Sequence, residues 1–242
     1  MTDFLLIALL AVGASFVERT TGFGFGIFIM TVLPFLMPSY GEATTLSGLL
    51  AFATTLIICI RMWNLIDWKH LWLILGTFVV VSAGAIYVLA RMQTHSLTLM
   101  LGIILIVVSL YFIFLGGKIH IKPTPAAQIV TGTLSGLMGG FFGMQGPPAV
   151  LYFISSEPDK DRYMAVISMY FCLGNLAMTF FRAHNGFLTA TVGKGFLAGL
   201  AGVFLGTCLG AKVFNRIPAR IFRYVVYAYI GICGIIILAT RA

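Results

Sequence analysis

The sequence predicts an all-α polytopic membrane protein made of two inverted repeats. Of its 242 residues, 60% are hydrophobic and only 9% are charged. A soluble domain usually carries about 25% charged residues, so this chain cannot cover a water-facing surface of that kind. The apolar residues fall in continuous runs, as expected for helices in lipid, and the order of these runs recurs in the second half of the chain.

Each half contains two short apolar runs followed by three longer ones, which are predicted to span the bilayer. The first half has the short runs Phe4–Val17 and Gly22–Met37 and the predicted spans Thr44–Ile60, His70–Ala90 and Ser96–Leu115. The second half has the short runs Ala126–Gly139 and Gly143–Ile154 and the predicted spans Met164–Phe181, Phe187–Val213 and Ile221–Leu238. Continuous runs argue against the alternating pattern of a membrane β-barrel.

The recurrence predicts two repeats, residues 1–117 and 126–242, joined by a cytoplasmic linker at 118–125. Ser47 aligns with Ser168 at a shift of 121 residues. Each repeat is expected to hold a broken or re-entrant Gly-rich segment and three longer helices. Paired short segments interrupted by Gly and Pro are the sequence sign of a secondary transporter with its site near the middle of the bilayer.

Three long spans per half is an odd number, so the halves are predicted to point in opposite directions. Lys and Arg concentrate in cytoplasmic loops. On the side opposite the N-terminus lie ten such residues: Arg61, Lys69, Lys118, Lys122, Lys160, Arg162, Lys212, Arg216, Arg220 and Arg223. On the N-terminal side lie four: Arg91, Arg182, Lys194 and Arg241. Both termini are therefore predicted to face outward from a bacterial-type inner (plasma) membrane.

Two Gly-rich motifs, Thr20–Gly26 and Gly139–Pro148, occupy matching places in the two halves. Spaced glycines permit unusual backbone angles, and Pro is favoured in the first turn of a helix. A helix that restarts inside the membrane exposes backbone N–H groups, which suit an anion. The alternative is a small-residue packing surface that binds no ligand.

Polar side chains near these motifs complete the predicted site. The candidate substrate-binding residues are Gly22, Gly24, Gly26, Thr45, Ser47, Gly143, Gln145, Gly146, Ser168 and Asn175. The hydroxyls could instead bond only their own helix backbone. Arg19 is a candidate charge partner, although Glu18 and Arg19 could also lie at an interface or neutralise each other. Arg182, at the end of a long span, is expected to be an interfacial anchor.

At these motifs the chain resembles the sulfite exporter TauE/SafE family, also called the toluene-sulfonate uptake permease group. Gly22–Ile27, followed by Pro34, Pro38 and Ala43–Ser47, resembles the first-half pattern of that family. Gly143–Pro148, followed by Ala165 and Ser168, resembles the second. The family often has three successive glycines where this chain has Gly24–Gly26 and Gln145–Pro147. The resemblance covers essentially the whole chain and implies ion-gradient-driven transport of sulfite or small organosulfonates.

The expected function is secondary active transport of a small anion by alternating access. A channel, or a carrier for another solute such as a carboxylate, remains the alternative. An intramembrane enzyme has no support, because the chain lacks HExxH, GxSxG and paired acidic residues in its spans. The expected partners are the anion, the lipid bilayer and a coupling ion, either proton or sodium, with a homodimer as one option for the assembly. No cofactor, metal or nucleic acid is expected, since the net charge of +8 follows the loops.

Overall fold

The computed structural model describes residues 2–114, 121–157, 159–213 and 219–241, and all of its secondary structure is helical. The first half contains α1 (Thr2–Thr21), α2 (Phe25–Ile29), α3 (Leu33–Leu36), α4 (Tyr40–Met62), α5 (Trp68–Leu89) and α6 (Thr94–Phe114). The second half contains α7 (Pro125–Phe142), α8 (Gly146–Ser156), α9 (Lys160–His184), α10 (Ala190–Val213) and α11 (Ala219–Arg241). Residues 118–120 of the predicted linker, and Arg216 of the charge count, lie outside the described residues.

Six helices of the described chain are long and apolar enough to cross a membrane. Their apolar segments are Phe4–Thr21, Tyr40–Leu65, Leu71–Leu89, Thr94–Phe114, Asp161–His184 and Ala190–Lys212. The first of these corrects the prediction of a short run at Phe4–Val17. Helix α1 continues through Glu18 and Arg19 and ends only where Gly22 takes a positive φ of 84°.

Side-chain caps mark where helices begin, as at α4, α7 and α9. The hydroxyl of Ser39 accepts the Glu42 N–H at the start of α4, and that of Thr124 accepts the Ala127 N–H at the start of α7. The Asp159 carboxylate accepts N–H groups from the first turn of α9. Caps of this kind satisfy backbone donors that have no partner inside the helix, so the polar loops fix the ends of these helices.

A row of glycines on α10 packs closely against α1. Gly202 lies against the carbonyl oxygen of Ala8, and Gly206 lies against that of Val12. A Cβ at either glycine would overlap these oxygens, so only glycine permits the approach. The contacts advance by four residues in the same direction on both helices, which shows that α1 and α10 are parallel.

A second glycine row, on α7, packs against α5 in the same manner. A Cβ at Gly132 would lie 2.7 Å from the carbonyl oxygen of Ile74, and one at Gly136 would lie 3.0 Å from that of Phe78. The register again advances by four residues on each helix, so α5 and α7 are also parallel. Without a hydrophobic driving force between helices in lipid, such close backbone packing supplies much of the association energy.

The direction of α4 shows how the first half is folded. Leu46 packs on Gly195 and Leu50 on Gly199, so α4 is parallel to α10 and therefore also to α1. Because α1 and α4 run the same way, the segment of α2 and α3 between them returns across the protein. This arrangement fits the predicted broken segment, and the inverted repeat itself stays a prediction.

Helices α4 and α9 form the centre of the molecule. In each, 67% of the apolar segment is buried, compared with 39–44% in the other four candidate spans. Arg182 of α9 contacts Thr44 near the start of α4, and Asn175 and Thr179 approach Gly48 one turn further on. The two helices are therefore antiparallel, and whatever lies between their midpoints lies in the middle of the fold.

Candidate functional site

The two Gly-rich breaks meet in the interior of the protein. Gly22 and Gly24 have φ angles of 84° and 104°, and Gly143 has a φ of 68°, all in the left-handed region that glycine tolerates. Gly26, in the first turn of α2, packs directly on the carbonyl group of Gly143. Segments that are 117 residues apart in sequence therefore share one contact, which has no room for a side chain at position 26.

A small cavity lies where the breaks meet. Its lining residues are Glu18, Gly24, Phe25, Gly26, Ile27, Ala51, Gly143, Met144, Gln145, Gly146, Phe171 and Asn175. Ala51 and Phe171 lie near the midpoints of α4 and α9. The volume is about 20 Å³, which holds about one water-sized group. The cavity is therefore small and central.

Glu18 supplies the carboxylate of this cavity. It lies in the last turn of α1, its side chain is 3% exposed, and it accepts the backbone N–H of Phe25 at the start of α2. This bond joins the two arms of the first break. The Phe25 N–H is one of the backbone donors that the sequence predicted for binding an anion, and Glu18 already occupies it.

Arg182 is not an interfacial anchor, because its side chain is fully buried. Its guanidinium donates to the carbonyl oxygens of Thr44 at 2.9 Å, Gly139 at 2.8 Å and Gly140 at 3.4 Å. Gly139 and Gly140 lie in the last turn of α7, where the helix dipole is negative, and the Gly139 carbonyl oxygen also accepts the Gly143 N–H at 2.9 Å. Arg182 thus points into the protein and bonds the C-terminal end of α7. Its position at the end of a span did not indicate this from sequence.

Buried donors gather around Arg182. A Cβ at Gly48 would lie 3.2 Å from Arg182 Nη1, 3.6 Å from Thr179 Oγ1 and 3.8 Å from Asn175 Oδ1, so these groups crowd one spot. Among the described residues, Arg182 Nε, Thr179 Oγ1 and the hydroxyls of Ser47 and Tyr40 have no hydrogen-bond partner. Within that same part of the chain, the guanidinium forms no salt bridge with a carboxylate. Buried polar groups without partners are costly, so such a cluster indicates a place for a ligand or water.

The structure brings most of the predicted site residues together. Gly24, Gly26, Gly143, Gln145, Gly146 and Asn175 all line the cavity. Gln145 donates from Nε2 to the carbonyl oxygen of Phe171 at 3.4 Å, while its Oε1 has no partner in the described chain. Ser47 lies beside the break, since its Oγ would be 3.8 Å from a Cβ at Gly143.

Four predicted residues lie elsewhere. The hydroxyl of Thr45 donates to the Gly41 carbonyl oxygen of its own helix. This matches the alternative prediction, in which such hydroxyls bond only their own helix backbone. Gly22 packs against Met164 and Tyr163 rather than lining the cavity, and buried Ser168 is also not part of the lining. Arg19 faces a separate small pocket that it shares with Arg61 and Thr207.

The sequence predicted an interfacial anchor at Arg182, and of the pair Glu18 and Arg19 it favoured Arg19 as the candidate charge partner. The signal for Glu18 was available, because an acidic residue between two apolar runs of one membrane segment is a functional candidate. Arg182 was harder to find, because a basic residue at the end of a span usually reaches the interface. Only the packing of α9 against the end of α7 places its side chain inside.

The fold defines the class of protein as a multi-pass membrane protein with broken helices around a small central cavity. The sequence matches the family described as "Sulfite exporter TauE/SafE" over residues 6–237, and the chain belongs to this family. Members of this family are transporters rather than enzymes.

One similar curated protein is the "Probable sulfite/organosulfonate exporter TauE" of Cupriavidus necator. It is 28% identical to this chain over 217 residues, which cover 86% of this chain and 82% of that protein. No solved structure matches the chain significantly.

Proposed function

We propose that this protein is a secondary active transporter of a small anion, with sulfite or an organosulfonate as its substrate. Family membership and the name of the Cupriavidus necator relative, a probable sulfite/organosulfonate exporter, support the substrate class. The substrate would be held between Arg182 and the central cavity. The two halves of the chain would then rock about it to give alternating access.

The buried guanidinium of Arg182 is the observation that carries this proposal. It lies fully inside a membrane protein beside Asn175 and Thr179, with no carboxylate partner in the described chain. A sulfite or sulfonate group is acceptor-only, and charge-assisted hydrogen bonds to oxyanions are the strong ones. Nε of Arg182 and the free hydroxyls of Ser47 and Thr179 are donors of the kind that such a group needs.

The helix directions support alternating access between two inverted repeats. Within this proposal α1 and α7 begin on opposite faces of the membrane, and the ten basic loop residues face the cytoplasm. Both termini then lie outside an inner (plasma) membrane. The cavity has room for about one water-sized group, so loading a sulfonate requires the halves to separate on one side at a time.

Counterflow in proteoliposomes tests the proposal. Purified protein would be loaded with unlabelled sulfite, methanesulfonate, sulfoacetate or taurine, and uptake of the labelled compound would be measured. A carrier for this substrate class gives saturable exchange of at least one of them. Exchange of carboxylates alone would overturn the substrate, and flux that does not saturate would indicate a channel.

A matched pair of variants tests the site itself. Thr179→Val keeps the side-chain shape but removes a donor, and we expect the half-saturation concentration to rise about tenfold, as for a lost bond to a charged group. Thr240→Val is the control, because Thr240 is exposed on α11 and bonds only its own helix. Equal affinities in the two variants would exclude Thr179 from the site.

A further inference from the structure

The cavity at the breaks holds an acidic group that the proposed anion site does not use. Glu18 is 3% exposed and shares the cavity with Gln145 and Asn175. Its carboxylate accepts a hydrogen bond from a backbone group, the N–H of Phe25. A carboxylate buried within a membrane segment is expensive and is a functional candidate by default. The rest of the lining is glycine, methionine, alanine, isoleucine and phenylalanine, none of which can neutralise it.

The groups packed around Glu18 offer no counter-charge among the described side chains. The titratable groups of the neighbouring elements are Cys59 on α4, Cys172 on α9, Arg19 on α1 itself and Tyr229 on α11. Cys59 and Cys172 are free thiols that interact through a hydrogen bond, and the Tyr229 hydroxyl is 3.0 Å from the Thr31 hydroxyl. Arg19 lines the separate pocket with Arg61 and does not line the cavity.

The charges of Glu18, Arg182 and the bound anion can sum to zero both in the empty state and in the anion-bound state. When the anion site is empty, an ionised Glu18 and the Arg182 cation, which both neighbour Asn175, sum to zero charge, although no ion pair joins these two described side chains. When a monoanion binds beside Arg182, a third charge enters a region of low dielectric, where an unbalanced charge is costly. Balance is then restored if the Glu18 carboxylate takes up a proton from water on the side that is open.

Resting on the proposed function, we infer that Glu18 is the proton-binding site that couples anion transport to the pH gradient. One proton is bound at a Glu18 carboxylate oxygen with each monoanion, and both are released to water on the far side. Transport of a monoanion is then electroneutral, and the two gradients together set its direction. The lining also carries the side-chain oxygens of Gln145 and Asn175, so the experiment compares a pH gradient with a sodium gradient directly.

The test uses methanesulfonate, which stays a monoanion throughout the assay range, so its own protonation cannot imitate coupling. Labelled methanesulfonate uptake into proteoliposomes would be driven in turn by a pH gradient, a sodium gradient and a potassium diffusion potential. The variant is Glu18→Gln, which keeps the shape of the side chain and cannot ionise. Glu42→Gln, at the start of α4 and outside the cavity, is the matched control.

For the wild-type protein and Glu42→Gln we expect accumulation driven by the pH gradient and unaffected by voltage. For Glu18→Gln we expect exchange to persist at a changed rate, pH-driven accumulation to fall at least tenfold, and voltage to become the driving force. The voltage response is a change that a merely structural role would not produce.

Three results would overturn the inference: wild-type accumulation driven by sodium, wild-type exchange that ignores the pH gradient, or pH-driven accumulation that survives in Glu18→Gln. Absence of any wild-type exchange is a different failure. It would remove the proposed function and the proton site together, and counterflow without gradients distinguishes it from the others.

Discussion

The two Gly-rich breaks look alike in sequence but are held by opposite charges. At the first break, the carboxylate of Glu18 accepts the N–H of Phe25, at the start of the short helix that follows. At the second break, the guanidinium of Arg182 donates to Gly139 and Gly140, at the end of the helix that precedes. At the first break an acidic side chain thus accepts a backbone N–H group, and at the second break a basic side chain donates to backbone carbonyl groups.

This difference gives a central site that is polar on both sides. Broken helices survive inside a membrane only where protein or water satisfies the freed backbone groups. The acid of the first break lines the cavity, and the base of the second lies beside Asn175, which also lines it. The anion site and the proton site proposed above both rest on this difference between the two breaks.

Removing the base should have the largest effect. Arg182→Ala removes all the hydrogen bonds of the guanidinium, and we expect a loss of roughly 3–5 kcal/mol of stability, as for other broken buried charge networks. Arg182→Lys keeps the charge but not the fork of donors, so we expect it to fold with weakened anion affinity. Thermal unfolding in detergent and anion titration measure both effects. Wild-type behaviour of Arg182→Ala would end the contrast between the breaks.

The contact between the breaks should be next in size. Gly26→Ala places a methyl group on the Gly143 carbonyl, and overpacking of this kind costs about 1–3 kcal/mol. Gly76→Ala is the control, since a Cβ there meets nothing within 4 Å and alanine favours a helix. We expect the melting temperature to fall for the first variant only. Equal melting temperatures would mean that the breaks do not touch.

The two turning glycines should differ from each other. Alanine at either Gly22 or Gly143 must adopt a positive φ, which costs about 1–2 kcal/mol. At Gly143 the nearest group to a Cβ is 3.7 Å away, whereas at Gly22 the Met164 sulfur is 2.9 Å away. We therefore expect Gly22→Ala to be the more destabilising variant in urea unfolding. The reverse order would show that crowding at Met164 is easily relieved.

Gln145 should give the smallest effect. It belongs to the second break only, since the cavity lining from the first break carries no amide side chain. Gln145→Ala is expected to weaken anion binding about fivefold, equivalent to about 1 kcal/mol. Gln128→Ala is the control, because Gln128 bonds Tyr152 away from the cavity and should affect stability alone. Unchanged affinity in Gln145→Ala would remove Gln145 from the site.

Much of the fold was predictable because lipid imposes simple rules on sequence. Continuous apolar runs gave the long helices, and α4, α5, α6, α9 and α10 lie close to their predicted ranges. Glycine and proline gave the positions of the breaks, since few other residues adopt those backbone angles. The length of α1 was wrong because Glu18 and Arg19 were taken to end the run, whereas a buried acid with a backbone partner can continue a helix.

The site was predictable in its glycines and amides but not in its charges. Gln145 and Asn175 lie near breaks or on central helices, so sequence order was enough to suggest them. Thr45 and Ser168 are also polar residues on the central helices that follow the breaks, yet neither lines the cavity. Which face of a helix meets the cavity depends on its rotation against its neighbours, and local sequence does not encode that rotation.

The sequence by itself determined that this is a helical membrane protein with breaks at two Gly-rich motifs, and it predicted two similar halves. The length of an apolar run, the charge of a loop and the backbone freedom of a glycine are local properties. They can therefore be recognised from the sequence without knowing which segments pack together. Only the tertiary structure decided that Arg182 points inward, that Glu18 shares the cavity, and that Gly26 meets Gly143. Those facts depend on which distant segments pack together, and it is this packing that gives a buried charge its partner.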